Sequence, residues 1–333
     1  MNIERSSITV DQAIARYLDS VALARSENTA RTYRNALNAF KNMLIDHHLP
    51  ANKILVGDLQ EDAIAWFAAW LKSYSPTTES LYLQAATGFF EYLTAENFAS
   101  PNLPRLRMLL RQRARKQGQR LPQFPRDNID NIINYTINLA KVSTQNNIER
   151  LRALRDRAFL LTLADTGLRV HEACKLRRGD LDWNEGKALI IGKGDQQAVV
   201  RFSGRCMNAL RDYLSARSEL DGASGRPLSS LPLFARHDRG AGKKIKAITT
   251  TTGRNIVSQR VVEALGASAA GSITPHSFRH YFVTTVLHAS GGNLKLAQEL
   301  ARHRSIQVTQ RYAHLTDDEL DQGYWEIFEN SNI

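Results

Sequence analysis

Residues 181–202 read LDWNEGKALIIGKGDQQAVVRF. Two turn clusters, Asn184-Glu185-Gly186 and Gly192-Lys193-Gly194-Asp195, interrupt runs of β-favouring residues. Short β-favouring runs bounded by Gly, Asn and Asp read as strands joined by tight turns. The stretch therefore predicts a three-stranded antiparallel meander. On both sides of it, apolar residues recur every three or four positions, the period of a helix buried along one face. Downstream helices are expected over 205–219, 251–265, 277–289, 294–302 and 317–329. Residues 221–247, rich in Gly, Pro and Ser, read as a long loop. One small sheet in an otherwise helical chain makes the fold class mainly α.

The first hundred residues read as four helices. Thr9 starts one with Gln12 placed for a capping box, and Val10, Ala13, Ile14, Tyr17, Leu18 and Val21 form its stripe. Ser26 caps the next, where Thr29, Tyr33, Leu37, Phe40 and Leu44 share a face. A third follows Asp58, with Ile64, Phe67, Trp70 and Leu71 facing inward. Ser75-Pro76 supplies an N-cap and the proline favoured at the first helical position, and the fourth helix runs over 77–93. Four short amphipathic helices make a small bundle, and their aromatic stripes read as its core.

The whole chain has 333 residues and a net charge of +11. At about 100–200 residues per domain that length predicts two domains. A hydrophobic fraction of 43% against 23% charged excludes a disordered chain. No run approaches the roughly 18 apolar residues of a spanning helix, and the acidic N-terminus lacks a signal peptide's apolar stretch. Two cysteines, Cys174 and Cys206, without a CxxC pair argue against disulfides and a thiolate zinc site, so no metal and a cytoplasmic location are expected. The charge is uneven. Residues 1–100 hold eight Lys or Arg and eleven Asp or Glu, while 101–126, PNLPRLRMLLRQRARKQGQRLPQFPR, hold eight basic residues and no acid. This divides the chain into an N-terminal helical domain (1–100), a basic interdomain linker (101–126) and a C-terminal domain (127–333). A basic excess points to nucleic acid, and Arg105, Arg107, Arg111, Arg113, Arg115, Lys116 and Arg120 are the expected phosphate contacts.

Candidate chemistry lies in two places. Thr166-Gly167-Leu168-Arg169-Val170-His171-Glu172 sits at a helix–turn–helix junction, and the stretch from His276-Ser277-Phe278-Arg279-His280 to His303 and Tyr312 follows later. Taken singly, each element is ordinary. Together, two arginines, histidines, a turn lysine and a late tyrosine suit transesterification at a phosphodiester. An arginine fork binds two phosphate oxygens and stays charged. A tyrosine nucleophile needs a neighbour to take its proton, and an alkoxide leaving group needs a donor.

In this order and spacing the residues resemble the tyrosine recombinase (phage integrase) family. TGLRVHE is similar to its first box, which implies Arg169 as a catalytic arginine and Glu172 as its structural support. Lys193 in IIGKGDQQAVVRF matches the family's β-hairpin lysine, the implied general acid. ITPHSFRHYF resembles the second box and gives His276 and Arg279. QELARHRSIQVTQRYAH resembles the last, in which His303 precedes the nucleophile Tyr312 by nine residues. Where the family has Leu-Gly before that histidine, this chain has Ala301-Arg302. If the glycine normally takes φ > 0, an arginine there costs energy or adds a phosphate contact.

The resemblance covers about residues 121–333, with the N-terminal helices similar to the family's core-binding (SAM-like) domain. It implies a simple two-domain, Xer/Cre-like member folded as a C-shaped clamp on a duplex DNA recombination site. Such members act as a homotetramer on two sites, and Leu320, Tyr324, Trp325, Ile327 and Phe328 are the apolar face expected to dock on a neighbour. No metal, ATP or other cofactor is implied, because the phosphotyrosine retains the bond energy. With the first helix starting near residue 9, no arm-binding domain is expected before it. Two rivals are a DNA-relaxing enzyme of the type IB topoisomerase kind and a DNA-binding protein without catalysis.

Overall fold

A computed structural model of the chain describes residues 8–115, 126–141, 146–191, 197–238, 244–310 and 312. The chain divides into two compact units, Met1–Arg120 and Leu121–Ile333.

The first unit holds α1 (Val10–Ala24), α2 (Glu27–Asp46), α3 (Asp62–Trp70), α4 (Pro76–Ala95) and α5 (Leu103–Arg113). Their starts follow the local chemistry. Thr9 and Gln12 exchange side-chain and backbone bonds at the head of α1, and Ser26 and Ser75 accept from the third residue of α2 and α4. The stripes converge on Phe40, Phe67, Phe89 and Phe90, all fully buried, with Phe40 and Phe67 edge-to-face at 5.2 Å.

The expected linker differs across its first half. Residues 103–113 are a fifth helix of this unit, with Leu106 fully buried and Leu103, Leu109 and Leu110 packed on the same core. Charge holds it as well. Arg105 pairs with Glu61 and Asp62 at 2.9 and 2.7 Å, and Arg107 pairs with Glu91 at 3.2 Å. Arg115 and Lys72 converge on Glu79, a carboxylate left only 1% exposed. These acids lie elsewhere in the sequence, so three arginines of the acid-free stretch are neutralised in space. Residues 116–125 lie outside the described residues.

The second unit is built around α7 (Asn147–Thr166), buried on most of its circumference and packed by α6 (Arg126–Asn138). Against α7 also lie α8 (Val170–Lys175), α9 (Gly204–Ala216) and α12 (Pro275–Ala289). Between α8 and α9 come β1 (Leu181–Asp182), β2 (Lys187–Ile191) and β3 (Gln197–Arg201), the antiparallel meander read from the sequence. Register pairs Leu181 with Ala188 and Ile190 with Ala198, placing Ala188, Ile190 and Val200 in the core. The β2–β3 turn, residues 192–196 with Lys193, lies outside the described residues. The remaining helices are α10 (Ser218–Gly222), α11 (Thr250–Leu265), α13 (Leu294–Ala301) and α14 (Ile306–Gln310). No described helix is long and apolar enough to cross a membrane. Both cysteines are buried, which pushes each thiol up to about 12.

The expected loop over 221–247 also departs from expectation. Leu231, Leu233, Phe234 and Ala235 are fully buried, and short bridges tie Pro232 to Arg177 and Ala235 to Ala247. Arg217, itself fully buried, donates to the carbonyls of Pro232 and Leu233. Its Nε lies 2.8 Å from Asp221 Oδ1, off hydrogen-bond angle, while Asp221 Oδ2 accepts from Arg178 at 2.6 Å. Removing Asp221 would leave the Arg217 charge buried without its counter-ion, at a cost of about 3–5 kcal/mol. Asp221→Ala is therefore expected to lower the urea midpoint of the C-terminal unit strongly, and an unchanged midpoint would refute the pairing's importance.

Candidate active site

The site starts where α7 ends. Gly167 caps that helix in the left-handed region at φ +59°, and an added Cβ would lie 2.5 Å from Phe282 Cδ1. Glycine is required there by conformation and by space. The turn buries Leu168 and sets Arg169 in extended backbone at the head of α8. Glu172, at the third position of α8, accepts the Arg169 backbone N–H at 2.8 Å and its Nη1 at 2.9 Å. One carboxylate thus fixes both the main chain and the guanidinium of Arg169. Burial pushes Glu172 up, but the Arg169 N–H and the charges of Arg302 and Arg169 outweigh it and hold the carboxyl below its ordinary range.

A second group comes from α12. Pro275 takes the first helical position, His276 follows, and Arg279 stands one turn on. Arg279 is 2% exposed. Its two terminal nitrogens donate to the carbonyls of Gly167 and Ala301, the ends of α7 and α13. Burial, with Arg169 and Arg302 nearby, brings this guanidinium down to about 10, so it stays charged at neutral pH.

The third group follows α13. Arg302 is left-handed, φ +56° and ψ +47°, and its backbone N–H closes the helix on Gln298 and Glu299. A side chain in that conformation costs about 1–2 kcal/mol. The Arg302 side chain turns inward, 12% exposed, and its Nη2 lies 3.3 Å from Glu172 Oε2. His303 is 9% exposed, with Nδ1 2.9 Å from Thr309 Oγ1. The Tyr312 ring lies parallel to His303 at 6.1 Å and edge-on to His280 at 4.7 Å; His280 in turn meets His276 at 4.4 Å. Val283, Leu287, Ala297 and Ala301 form the small apolar cluster beneath the tyrosine.

The fold therefore gathers Arg169, Glu172, His276, Arg279, His303 and Tyr312 from three stretches of chain. His280 joins them without having been singled out for the site, and Arg302 joins them as the residue expected either to cost energy in place of glycine or to add a phosphate contact. For His280 the only signal was its place beside Arg279; for Arg302 it was the replacement of an expected glycine. Lys193, Lys116 and Arg120 lie outside the described residues. Arg105, Arg107 and Arg115 lie in the first unit on carboxylate partners, and Arg111 and Arg113 are exposed on α5. Among the described residues the histidines sit beside three guanidiniums, Arg169, Arg279 and Arg302, and one carboxylate, Glu172. Burial first, then the arginines at His276 and His303 and both His276 and Arg279 at His280, lowers His276 and brings His280 and His303 down to about 4. At neutral pH each imidazole is uncharged, and the cluster carries surplus positive charge suited to an anion. Beside it, α8 also lines a cleft of about 690 Å³ with Lys175, Arg177, Arg226 and Lys246 and, among the described residues, no carboxylate.

This geometry can be set beside known proteins. Residues 127–319 match the phage integrase family, and residues 14–97 match the family's N-terminal SAM-like domain. The chain belongs to the phage integrase family. Relatives named tyrosine recombinase XerC include one from Pediococcus pentosaceus, 28% identical, covering 92% of this chain and 93% of that one. Another from Listeria innocua is 30% identical and covers 93% and 95%. Among solved structures, XerH recombinase on a palindromic difH substrate aligns with a TM-score of 0.65 at 20% identity, over 90% of this chain and 80% of that one. A lambda integrase dimer on a core site aligns at 0.61 and 18%, over 92% and 96%. The family's fold is thus the fold described above, SAM-like helices followed by a mainly α domain with a small sheet.

The depressed histidines link the site to stability. Unfolded imidazoles titrate near 6.5. In the folded chain His280 and His303 stand near 4, and His237, buried and close to Arg155, Arg217 and Arg152, near 3. Between those values only the unfolded chain takes up protons, so stability falls as pH drops from about 6.5 toward 4. Urea midpoints across that window should decline, and the NMR signal of the His303 ring should stay that of a neutral imidazole at pH 5. A His303 that titrates near 6.5 contradicts the burial described here.

Proposed function

We propose that this protein is a site-specific tyrosine recombinase that cuts and rejoins duplex DNA through a 3′-phosphotyrosyl bond at Tyr312. The observation that carries the reading is the seating of Tyr312 against His303 and His280 in the same cluster as two arginines, in a chain of the phage integrase family. The DNA complexes among its structural neighbours support a duplex partner, as does the acid-free basic cleft beside α8.

The chemistry follows from the groups present. The Tyr312 oxygen attacks phosphorus, the bond from phosphorus to the 5′-oxygen breaks, and the protein is joined to the 3′-phosphate. Negative charge grows on the non-bridging oxygens, where Arg169 and Arg279 stand as fixed cations. Such preorganisation explains why Arg279 is tied down by two carbonyls rather than left to search. Neutral His303 and His276 have a lone pair for the tyrosine's proton, which imidazolium would lack. Lys193, by its place in the β2–β3 turn and its match to the family's lysine, gives a proton to the departing 5′-oxygen. Attack by the 5′-hydroxyl of a partner strand then releases Tyr312. The N-terminal unit and the catalytic domain over 127–333 share the DNA contacts, and four copies act on two sites, with residues 317–333 docking between neighbours.

Tyr312→Phe keeps the ring and loses the attacking oxygen. Denaturing purification from cells should recover covalently attached DNA with the wild-type protein and none with Tyr312→Phe, at similar DNA affinity. Sequencing the attached DNA identifies the cleaved site, and strand exchange between two labelled duplexes carrying it separates recombination from mere relaxation. An adduct that persists in Tyr312→Phe removes the nucleophile assignment. For Lys193→Ala, cleavage should slow by about 10²–10⁴. A sulfur in place of the bridging 5′-oxygen, which departs without a proton, should restore it; failure of that rescue assigns the acid elsewhere.

A further inference from the structure

Arg302 combines three features that no ordinary structural role requires. It holds a left-handed backbone, φ +56°, where glycine would sit without strain. Its side chain turns into the Arg169–Arg279 cluster rather than into water. Its Nη1 is shut from solvent and has no hydrogen-bond partner among the described residues. Backbone strain that persists at a site, and a buried donor left unmatched, both ask for a compensating function.

The charge arrangement says what that function is. Glu172 is the one carboxylate of the cluster among the described residues, and it already receives the Arg169 backbone N–H and guanidinium through its two oxygens. Arg302 reaches the shared oxygen only at 3.3 Å, its one ion pair among the described residues. So one negative charge faces three guanidiniums, and Arg302 and Arg169 both bear down on Arg279. In the free protein this is repulsive. It becomes favourable only when a further anion enters. Arg279 cannot turn to meet that anion without dropping the carbonyls of Gly167 and Ala301, and Arg169 is anchored to Glu172. Of the three guanidiniums, only Arg302 has a terminal nitrogen that is shut from solvent and unmatched among the described residues.

We propose that Arg302 is a third arginine of the phosphate pocket, held inward by its left-handed backbone so that its charge and its unmatched Nη1 offset the scissile phosphate. This rests on the recombinase reading above and extends it to a residue that stands where relatives of this family would have glycine. The pocket then has three cations around one phosphodiester, and the strain at residue 302 is the cost of the extra one.

The test uses the duplex recovered covalently from wild-type protein, resynthesised with either a normal or a methylphosphonate linkage at the cleaved position. The methylphosphonate replaces one non-bridging oxygen by methyl and so carries no charge. Arg302→Gly suits the backbone at this position and removes the guanidinium, so folding is preserved; Arg302→Lys keeps the charge. On the normal linkage, adduct formation by Arg302→Gly should slow roughly 10- to 10³-fold, the range for loss of one preorganised donor, while Arg302→Lys retains much more activity. DNA affinity should change little. On the methylphosphonate, Arg302→Gly and wild type should react at similar rates, because the charge that Arg302 balances is gone. Two results overturn the proposal. One is an Arg302→Gly protein that cleaves the normal linkage at the wild-type rate. The other is a defect of the same size on both linkages, which makes Arg302 a support for Glu172 alone. Wild-type protein that forms no adduct would instead fell the recombinase reading itself, a distinct outcome.

Discussion

The second unit depends on one buried guanidinium. Arg279 is a full charge at 2% exposure, and no carboxylate among the described residues is bonded to it. Its described partners are the dipoles of two carbonyls, each at the end of a helix, contributed from 112 and 22 residues away. A helix C-terminus carries partial negative charge, so both carbonyls suit a cation. The arrangement fixes where α7 stops, where α13 stops and how α12 lies between them. Everything placed around Tyr312 follows from those three positions. The same bonding leaves the charge itself uncompensated, since carbonyl dipoles satisfy hydrogens without cancelling a unit charge. Structure and reactivity are therefore set by one choice: a cation is buried by dipoles, and its counter-charge is left to whatever binds.

The neighbouring groups show the same economy. Glu172 is deep and ionised, and it spends itself on Arg169 and partly on Arg302. The histidines, crowded by cations, are kept neutral. Imidazole next to guanidinium has its proton affinity lowered by burial and by repulsion together. That is the state in which it can accept rather than donate at neutral pH.

Much of this was legible in the sequence, for identifiable reasons. The meander was marked by two turn clusters with Gly and Asn, and the helix starts by Thr9, Ser26, Ser75 and Pro275, all local signals. Arg169, Arg279 and Tyr312 were legible through their order along the chain, although nothing local says that they meet. What was missed is non-local. Leu103, Leu106 and Leu110 carry helical spacing inside the basic stretch, but the acids that neutralise three of its arginines lie at the head of α3 and on α4. A count of charge along the chain cannot see them. The apolar run at 231–235 was hidden by the Gly, Pro and Ser around it, and its burial depends on Arg217 reaching across from α9. Arg302 announced itself only as a missing glycine; that its side chain folds inward is a tertiary fact.

The ion pairs of α5 also alter what the net charge of +11 means for a polyelectrolyte. Binding DNA gains entropy when a protein cation displaces a condensed counterion from the phosphate lattice, one for each phosphate neutralised. A cation already held by its own carboxylate releases nothing unless that pair is first broken. Arg105, Arg107 and Arg115 are so held, and of the arginines on α5 itself only Arg111 and Arg113 lack a carboxylate partner among the described residues. Three arginines of the most basic stretch of this chain thus serve as mortar for their own domain, and its eight basic residues overstate the number of cations it has free to displace counterions.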